Sequence, residues 1–216
     1  MKRILFVTIA VLIGLAANAQ KVQYGVRGGL NVSKETDHIL NVVDYGTIEL
    51  DTHFRPGLNV GGFINIPSGD KFAFEAGVSY SMLGYKDKIY EMEASDDYFY
   101  AEVMSHYFTI PIAEKFYPFG SGLFIEFGPQ LGFLLSKKAT LNDDAGYTPF
   151  KGDNNTFDFA ILGGLGYRFT DNIFLHARYI HSLTETSKDY EGGKNKNIQI
   201  SAHLQSSVFD LAKDLV

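Results

Sequence analysis

The sequence predicts an all-β chain: an eight-stranded antiparallel up-and-down transmembrane β-barrel. Three observations predict it. Eight segments alternate apolar and polar residues with period 2, the connections between them alternate long and short, and the polar faces are crowded with glycine and other small residues. Period 2 is the signature of a strand with two unlike faces, because successive side chains point to opposite sides of the sheet.

The first element is not a strand. Lys2 and Arg3 precede an almost unbroken apolar run from Ile4 to Ala16, and Ala17-Asn18-Ala19 forms a small-x-small cleavage site before Gln20. This pattern reads as a secretory signal over residues 1-19, removed to leave a barrel domain over 20-216. A membrane anchor is the plainer alternative, but the run is shorter than the ~20 residues a spanning helix needs. Removal takes the formal charge from −6 to −8. No later stretch approaches the length of a helical span, so the product is expected in the periplasm, outside the cell, or in the outer membrane as a barrel.

Composition narrows the chemistry. An acidic balance argues against nucleic acid as a partner, since that affinity depends on Lys and Arg displacing counterions. With Cys 0 in 216 residues, disulfides, thiolate metal sites, cysteine nucleophiles and an acylated lipoprotein N-terminus are excluded.

The strand segments follow in order. In 22-32, Val22, Tyr24, Val26, Leu30 and Val32 share one parity, while Gln23, Arg27 and Asn31 take the other. The same reading recurs at about 53-66, 72-84, 107-117, 123-135, 157-169, 173-182 and 197-209. Nine Asp, Glu, Lys or Arg lie in these spans, and eight of them (Arg27, Arg55, Glu75, Lys115, Glu126, Asp158, Arg168, Arg178) fall on the polar parity. Only Glu114 falls on the apolar one, close enough to the turn at Pro118 for an interfacial position, where a charge costs little. The polar parity also carries Gly25, Gly29, Gly57, Gly61, Gly77, Gly128, Gly132, Gly164 and Gly166, as the cramped inside of a narrow barrel requires. A soluble calyx with a small apolar ligand would want apolar residues inside, and here the crowded face is the polar one.

Connections run 33-52, 67-71, 85-106, 118-122, 136-156, 170-172 and 183-196, strictly long then short. That places every long loop at one end, with turn residues such as Pro67-Ser68-Gly69-Asp70 and Gly120-Ser121-Gly122 at the other, as in outer-membrane barrels. Pro56, Pro111 and Pro129 lack ladder donors and predict bulges or local bends. The chain runs past Phe209, the expected terminal aromatic, into a short tail ending at Val216.

Several runs resemble a known family. Tyr24-Gly25-Val26-Arg27-Gly28-Gly29-Leu30-Asn31, Tyr107-Phe108-Thr109-Ile110-Pro111-Ile112-Ala113-Glu114-Lys115-Phe116, Gly128-Pro129-Gln130-Leu131-Gly132, Gly164-Leu165-Gly166-Tyr167-Arg168-Phe169 and Arg178-Tyr179 are similar, in order and spacing, to the PorT-like outer-membrane β-barrel family of Bacteroidota. The resemblance implies an eight-stranded outer-membrane barrel and, for most members, no established activity. One branch is implicated in protein secretion, and nothing in these residues selects that branch.

Candidate functional residues form two sets. The inward charges Arg27, Arg55, Glu75, Lys115, Glu126, Asp158, Arg168 and Arg178 are expected to pair as a polar network that closes the lumen; the alternative is a narrow conduction path. Eight strands enclose a space just wide enough for side chains to fill, which favours closure. The loop aromatics Tyr90, Tyr98, Phe99, Tyr100 and Tyr147 are a candidate surface-binding patch for a protein or glycan, with loops 33-52, 85-106 and 136-156 as the contact region. A loop-based enzyme is a further class: His38, His53, His106 and His181 lie near Asp37, Asp51, Ser105 and Ser182 in sequence, yet no nucleophile elbow, HExxH or P-loop is present. Asn142-Asp143-Asp144 and Asp153-Asn154-Asn155 lack the ligand spacing of an EF-hand loop and read as solvated. The expectation is a monomeric, non-enzymatic barrel without cofactor or metal, in contact with the lipid bilayer of the outer membrane.

Overall fold

The computed structural model describes residues 22–36, 38–42, 46–50, 52–90, 98–120, 122–141, 147–149, 153–188 and 193–207. The signal segment 1-19, the motif Asn142-Asp143-Asp144 and the tail with Phe209 lie outside them. Eleven strands follow in chain order: β1 (Gln23–Glu35), β2 (His38–Val42), β3 (Gly46–Leu50), β4 (Thr52–Ser68), β5 (Phe72–Tyr90), β6 (Tyr98–Phe116), β7 (Leu123–Leu141), β8 (Thr148–Pro149), β9 (Phe157–Arg168), β10 (Ile173–Ser182) and β11 (Asn195–Ser207).

Eight of these close a ring. The order is β6-β5-β4-β1-β11-β10-β9-β7, and β6 pairs with β7 to complete it. All neighbours are antiparallel, including the seam between the first and last strands, where Gln23 to Glu35 pairs with Ser207 to Asn195. Closure removes every free edge, the condition for strands to cross hydrocarbon, where unpaired backbone groups find no water.

The faces divide as the alternation predicts. Val26, Leu30, Leu58, Val60, Ile64, Phe74, Val78, Phe127, Leu165, Tyr179, Ile200 and Leu204 are exposed on the outside. Arg27, Asn31, Asn59, Glu75, Lys115, Glu126, His176, Arg178, Gln199 and His203 are buried inside. This inversion of the soluble pattern is stable only if the exterior meets lipid. Glu114 is exposed on the outer face near the short-turn end, as its parity implies.

Close approach at the β1–β11 seam requires glycine. A Cβ on Gly29 would overlap the carbonyl oxygen of Ile200, so the strand can pass there only without a side chain.

Three expectations need correction. Residues 85–90 and 98–106 are strand rather than loop, because β5 and β6 stay paired out to Tyr90 opposite Tyr98. Likewise β7 runs to Leu141 and adds the short β8, and the connection 33-52 contains the β2–β3 hairpin. Beyond the lipid the outward face no longer has to be apolar, as at Lys86 and Glu102, while Leu83, Tyr85 and Val103 are buried inward, so the apolar-out, polar-in alternation fades while the backbone ladder continues. Of the prolines, only Pro56 sits at a register shift, between Phe54 and Asn59. Pro111 and Pro129 interrupt their ladders without changing register, so each removes local hydrogen bonds rather than inserting a residue.

Candidate functional site: the barrel interior and its outer rim

Five of the eight predicted interior charges meet in one layer. From β5, Glu75 accepts from Arg27 of β1 (Nη1 to Oε1, 3.0 Å), from Arg178 of β10 (Nη2 to Oε1, 2.7 Å) and from Lys115 of β6. From β7, Glu126 accepts from Arg178 Nε at 2.7 Å and from Nη2 at 2.8 Å. Arg27 also donates to Ser79 Oγ through Nε and Nη2, at 2.9 and 2.7 Å. The strand pleat aims each of these side chains inward, and the ring brings together residues up to 103 positions apart. Two carboxylates and three cations thus bridge β1, β5, β6, β7 and β10.

Two histidines complete the layer. His176 Nδ1 lies 2.8 Å from Glu126 Oε1, and its ring meets that of His203 edge-on at 3.9 Å between centroids. Both sit on the polar parity, so counting His with the charged residues finds them in the sequence.

Towards the short turns an aromatic layer follows, formed by Phe63, Tyr117, Phe124 and Phe174 with Ala73. Lys115 Nζ lies 4.4 Å from the Phe174 ring centroid and 5.0 Å from that of Phe124, so the ammonium is shared between carboxylate and ring faces. The three phenylalanines also lie on the polar parity, where alternation alone gives no reason to expect them. On the other side of the charges is an amide layer. Asn31 Oδ1 accepts from Asn197 and Gln199, and Ser201 donates to Asn59.

The remaining three predicted charges are elsewhere. Asp158 accepts from Ser182 and Thr184 near the long-loop end. Arg168 lies over the Tyr117 ring, 5.1 Å from its centroid, at the short-turn mouth. Arg55 pairs with Glu102 at the outer rim (Nε to Oε1, 2.6 Å). Gly84, with φ of 154°, stands between them, and a Cβ there would press on Arg55 Cδ. The glycine leaves a gap in β5 through which the guanidinium crosses to β6. Lys86 and Tyr147 also donate to Glu102, at 3.0 and 2.6 Å. Burial raises the Glu102 carboxyl, but the hydrogen bonds from Tyr147, Lys86 and Arg55 outweigh it and hold it below its ordinary range. The Tyr147 hydroxyl moves up, by burial and then by donating to that carboxylate. A second rim pair joins Lys137 to Glu35 at 3.3 Å. Glu35, Glu102 and Lys137 lie outside the segments where alternation is legible.

The arrangement matches a family model described as outer membrane protein beta-barrel domain, over residues 18–188. The chain belongs to this family. Solved structures similar to this member include Neisserial surface protein A, at 12% identity and TM-score 0.47, covering 85% of this chain and 96% of that one. Ail, the attachment invasion locus protein of Yersinia pestis, is 12% identical with TM-score 0.42, over 86% and 99% of the two chains. OprG from Pseudomonas aeruginosa is 11% identical with TM-score 0.45, over 88% and 98%. No curated protein matches the sequence. The family member is an outer-membrane protein in contact with the bilayer.

The histidine–serine neighbours of the sequence do not form dyads. Ser105 is buried inside β6, while His106 faces out and bonds Tyr80. Ser182 is committed to Asp158, and His181 faces out, stacked on Tyr179. Adjacent residues of one strand point to opposite faces, so nearness in sequence places them apart. Among the described residues no group of three or more His, Asp or Glu is arranged for a metal ion. Of the predicted surface aromatics, Tyr147 is exposed and bonded to Glu102. Tyr90, Tyr98, Phe99 and Tyr100 belong to the paired ends of β5 and β6, and their side chains lie outside the described part.

Proposed function

We propose that this outer-membrane barrel is a non-enzymatic, membrane-structural and surface-binding protein whose lumen is closed by the Glu75–Glu126 network. The observation that carries the reading is the continuity of the interior. An aromatic layer, a charge layer and an amide layer are stacked along an eight-stranded bore, and each charge in the central layer has an opposite partner. A conduction path of that width would need the paired carboxylates to leave their cations, and an unpaired buried charge is expensive.

The test is conductance in planar bilayers. The wild-type barrel is expected to stay close to the empty-membrane baseline, and Glu75→Ala together with Glu126→Ala to produce openings. Steady ion-selective current through the wild-type protein would replace the closed barrel with the channel reading.

The surface role is assigned to the long-loop end, where β5, β6 and β7 project beyond the lipid and carry Tyr147 and the loop aromatics. The binding partner would be a protein or glycan outside the cell. The finer placement is in the PorT-like family of Bacteroidota, supported by the ordered motifs of the sequence. Export with cleavage before Gln20 is supported by the leader pattern, and N-terminal sequencing of the mature protein checks it.

A further inference from the structure

The short-turn mouth of the bore treats its charges differently from the interior. Inside the ring Arg27, Lys115 and Arg178 meet Glu75 and Glu126, while Arg55 meets Glu102 and Lys137 meets Glu35. Arg168, on the inward parity of β9, meets no carboxylate among the described residues. Its guanidinium rests on the Tyr117 ring at 5.1 Å from the centroid, and the residue stays only half-buried.

A cavity of about 50 Å³ opens beside it, large enough for more than a single water. Inward residues bound it, Gln23 of β1, Asn65 of β4 and Ala73 of β5, with Tyr117 just beyond β6 and Arg168 closing the far side. Backbone bonds between the turns fix these walls. Tyr117 N–H donates to the Lys71 carbonyl at 2.7 Å, and Arg168 N–H donates to that of Gly122 at 3.0 Å. Asn65 is buried and donates through Nδ2 to Gln23 Oε1 at 2.8 Å, which leaves its Oδ1 an acceptor without a donor among the described residues. Buried acceptors are normally satisfied by protein, water or a bound group. Asp70, in the exposed turn between β4 and β5, borders the same cavity and makes no ion pair with Arg168 or with any other described residue. Arg168 is shared with a second cavity of about 300 Å³, which Thr170 and Asp171 of the β9–β10 turn border.

The balance of charge selects the ligand. Around the mouth Arg168 and Lys71 are matched by Asp70 and Asp171, so an ion of one sign gains little. A group that carries both signs gains twice. Its carboxylate takes the guanidinium, and its ammonium brings the donor that Asn65 lacks and the counter-charge that Asp70 lacks. The cavity is lined mainly from the bore side, so the ligand arrives from water rather than from lipid. In outer-membrane barrels the short turns face the periplasm.

We propose that the short-turn mouth binds a zwitterionic α-amino-acid group from the periplasm, with Arg168 on its carboxylate and Asn65 and Asp70 on its ammonium. The second cavity gives room for any chain that the group carries. A free amino acid and the amino-acid end of a cell-wall peptide share this chemistry.

The test titrates the full mature barrel, isotope-labelled and in neutral detergent, with glycine, and follows the amide NMR signals of the short turns. Glycine should bind saturably. N-acetylglycine lacks the ammonium and glycinamide the carboxylate, and each should bind about tenfold more weakly, the worth of one charge-assisted hydrogen bond. Asp70→Asn and Arg168→Gln should show the same loss, whereas Lys188→Gln at the opposite rim should bind like the wild type. Asp70 is an exposed turn residue, so its variant carries the test if Arg168→Gln does not reach the heat-modifiable folded form. A soluble cell-wall peptide with a free amino-acid end, titrated in parallel, reads the source: tighter binding than glycine assigns the site to the cell wall, weaker binding to free amino acids, and both uphold it. No saturable binding of either probe, equal binding of the blocked forms, unchanged affinity in Asp70→Asn, or displacement of glycine by glycerophosphoethanolamine at equal concentration would each overturn the proposal. Lumen closure is read separately, by conductance.

Discussion

Glu75 is the residue on which the interior turns. It is the one carboxylate that touches Arg27, Lys115 and Arg178 together, and its side chain is almost wholly buried. Removing one member of a buried charge set leaves the others uncompensated, at a cost of about 3–5 kcal/mol. Glu75→Ala is therefore expected to lower the unfolding free energy of the refolded barrel, read by urea titration in lipid vesicles, by an amount in that range, whereas truncating exposed Lys138 leaves it unchanged. Glu102 supports a prediction of the opposite kind, at a site outside the lipid. Its folded-state carboxyl is held below the ordinary value, so the stability it adds is present above the unfolded value of ~4.3 and is lost as pH falls through the folded one. Tyr147→Phe removes one of the donors responsible. Carbon NMR of the Glu102 carboxyl should then show its titration midpoint move upward, and an unmoved midpoint would mean that Arg55 and Lys86 hold the carboxylate alone.

At the scale of the strand, the β1–β11 seam depends on a single glycine. Gly29→Val would push its side chain against the backbone of Ile200 and Ser201, and the seam has no other route to closure. We expect this variant to lose the compact, heat-modifiable form on detergent gels, while Gly28→Ala, where a Cβ meets only a distant carbonyl, keeps it. The prolines bear on the same ladders. Pro111 sits in β6 where pairing with β5 lapses at Gly77 and Val78, and Pro129 sits in β7 where pairing with β6 lapses at Ile112 and Ala113. Each missing donor is absorbed as a local gap. A closed ring holds both strands on their far sides, so the register cannot slip to recover it. Outside the lipid, the 19-residue strands β5, β6 and β7 exceed the ~9–11 residues needed to cross the hydrocarbon layer, and the surplus builds the outer rim on which Arg55, Glu102 and Tyr147 meet.

The whole molecule is an inverted globule. Its exposed side chains are Val, Leu, Ile, Phe and Tyr over the height of the membrane, and its core is built around ionic and amide layers with an aromatic layer beneath them. Such a chain is stable only while its exterior is solvated by hydrocarbon. Fractionation should place it in the outer membrane, and the extracted barrel should migrate differently before and after boiling. A monomer that remains soluble without detergent would contradict the exterior described here. Lumen closure is a property of the same scale, since the three layers draw on β1, β4, β5, β6, β7, β10 and β11 and none lies within a single hairpin.

Much of this was legible in the residues. Period 2 in the lipid-spanning segments, long and short connections in alternation, and charges confined to one parity determine a closed barrel and the inward set Arg27, Glu75, Lys115, Glu126 and Arg178. These follow because lipid imposes one rule on every outward position, and a rule applied at every second residue can be read locally. What the tertiary structure decided is pairing. Arg55 meets Glu102 through the gap at Gly84, Asp158 meets Ser182 and Thr184, Arg168 rests on Tyr117, and His176 meets His203 inside the charge layer. The register that sets Lys34 opposite Lys196 exists only across the seam between the two ends of the chain. Strand parity states which way a side chain points, whereas its height and its neighbour across the bore depend on register and on closure of the ring, and those belong to no single segment of sequence.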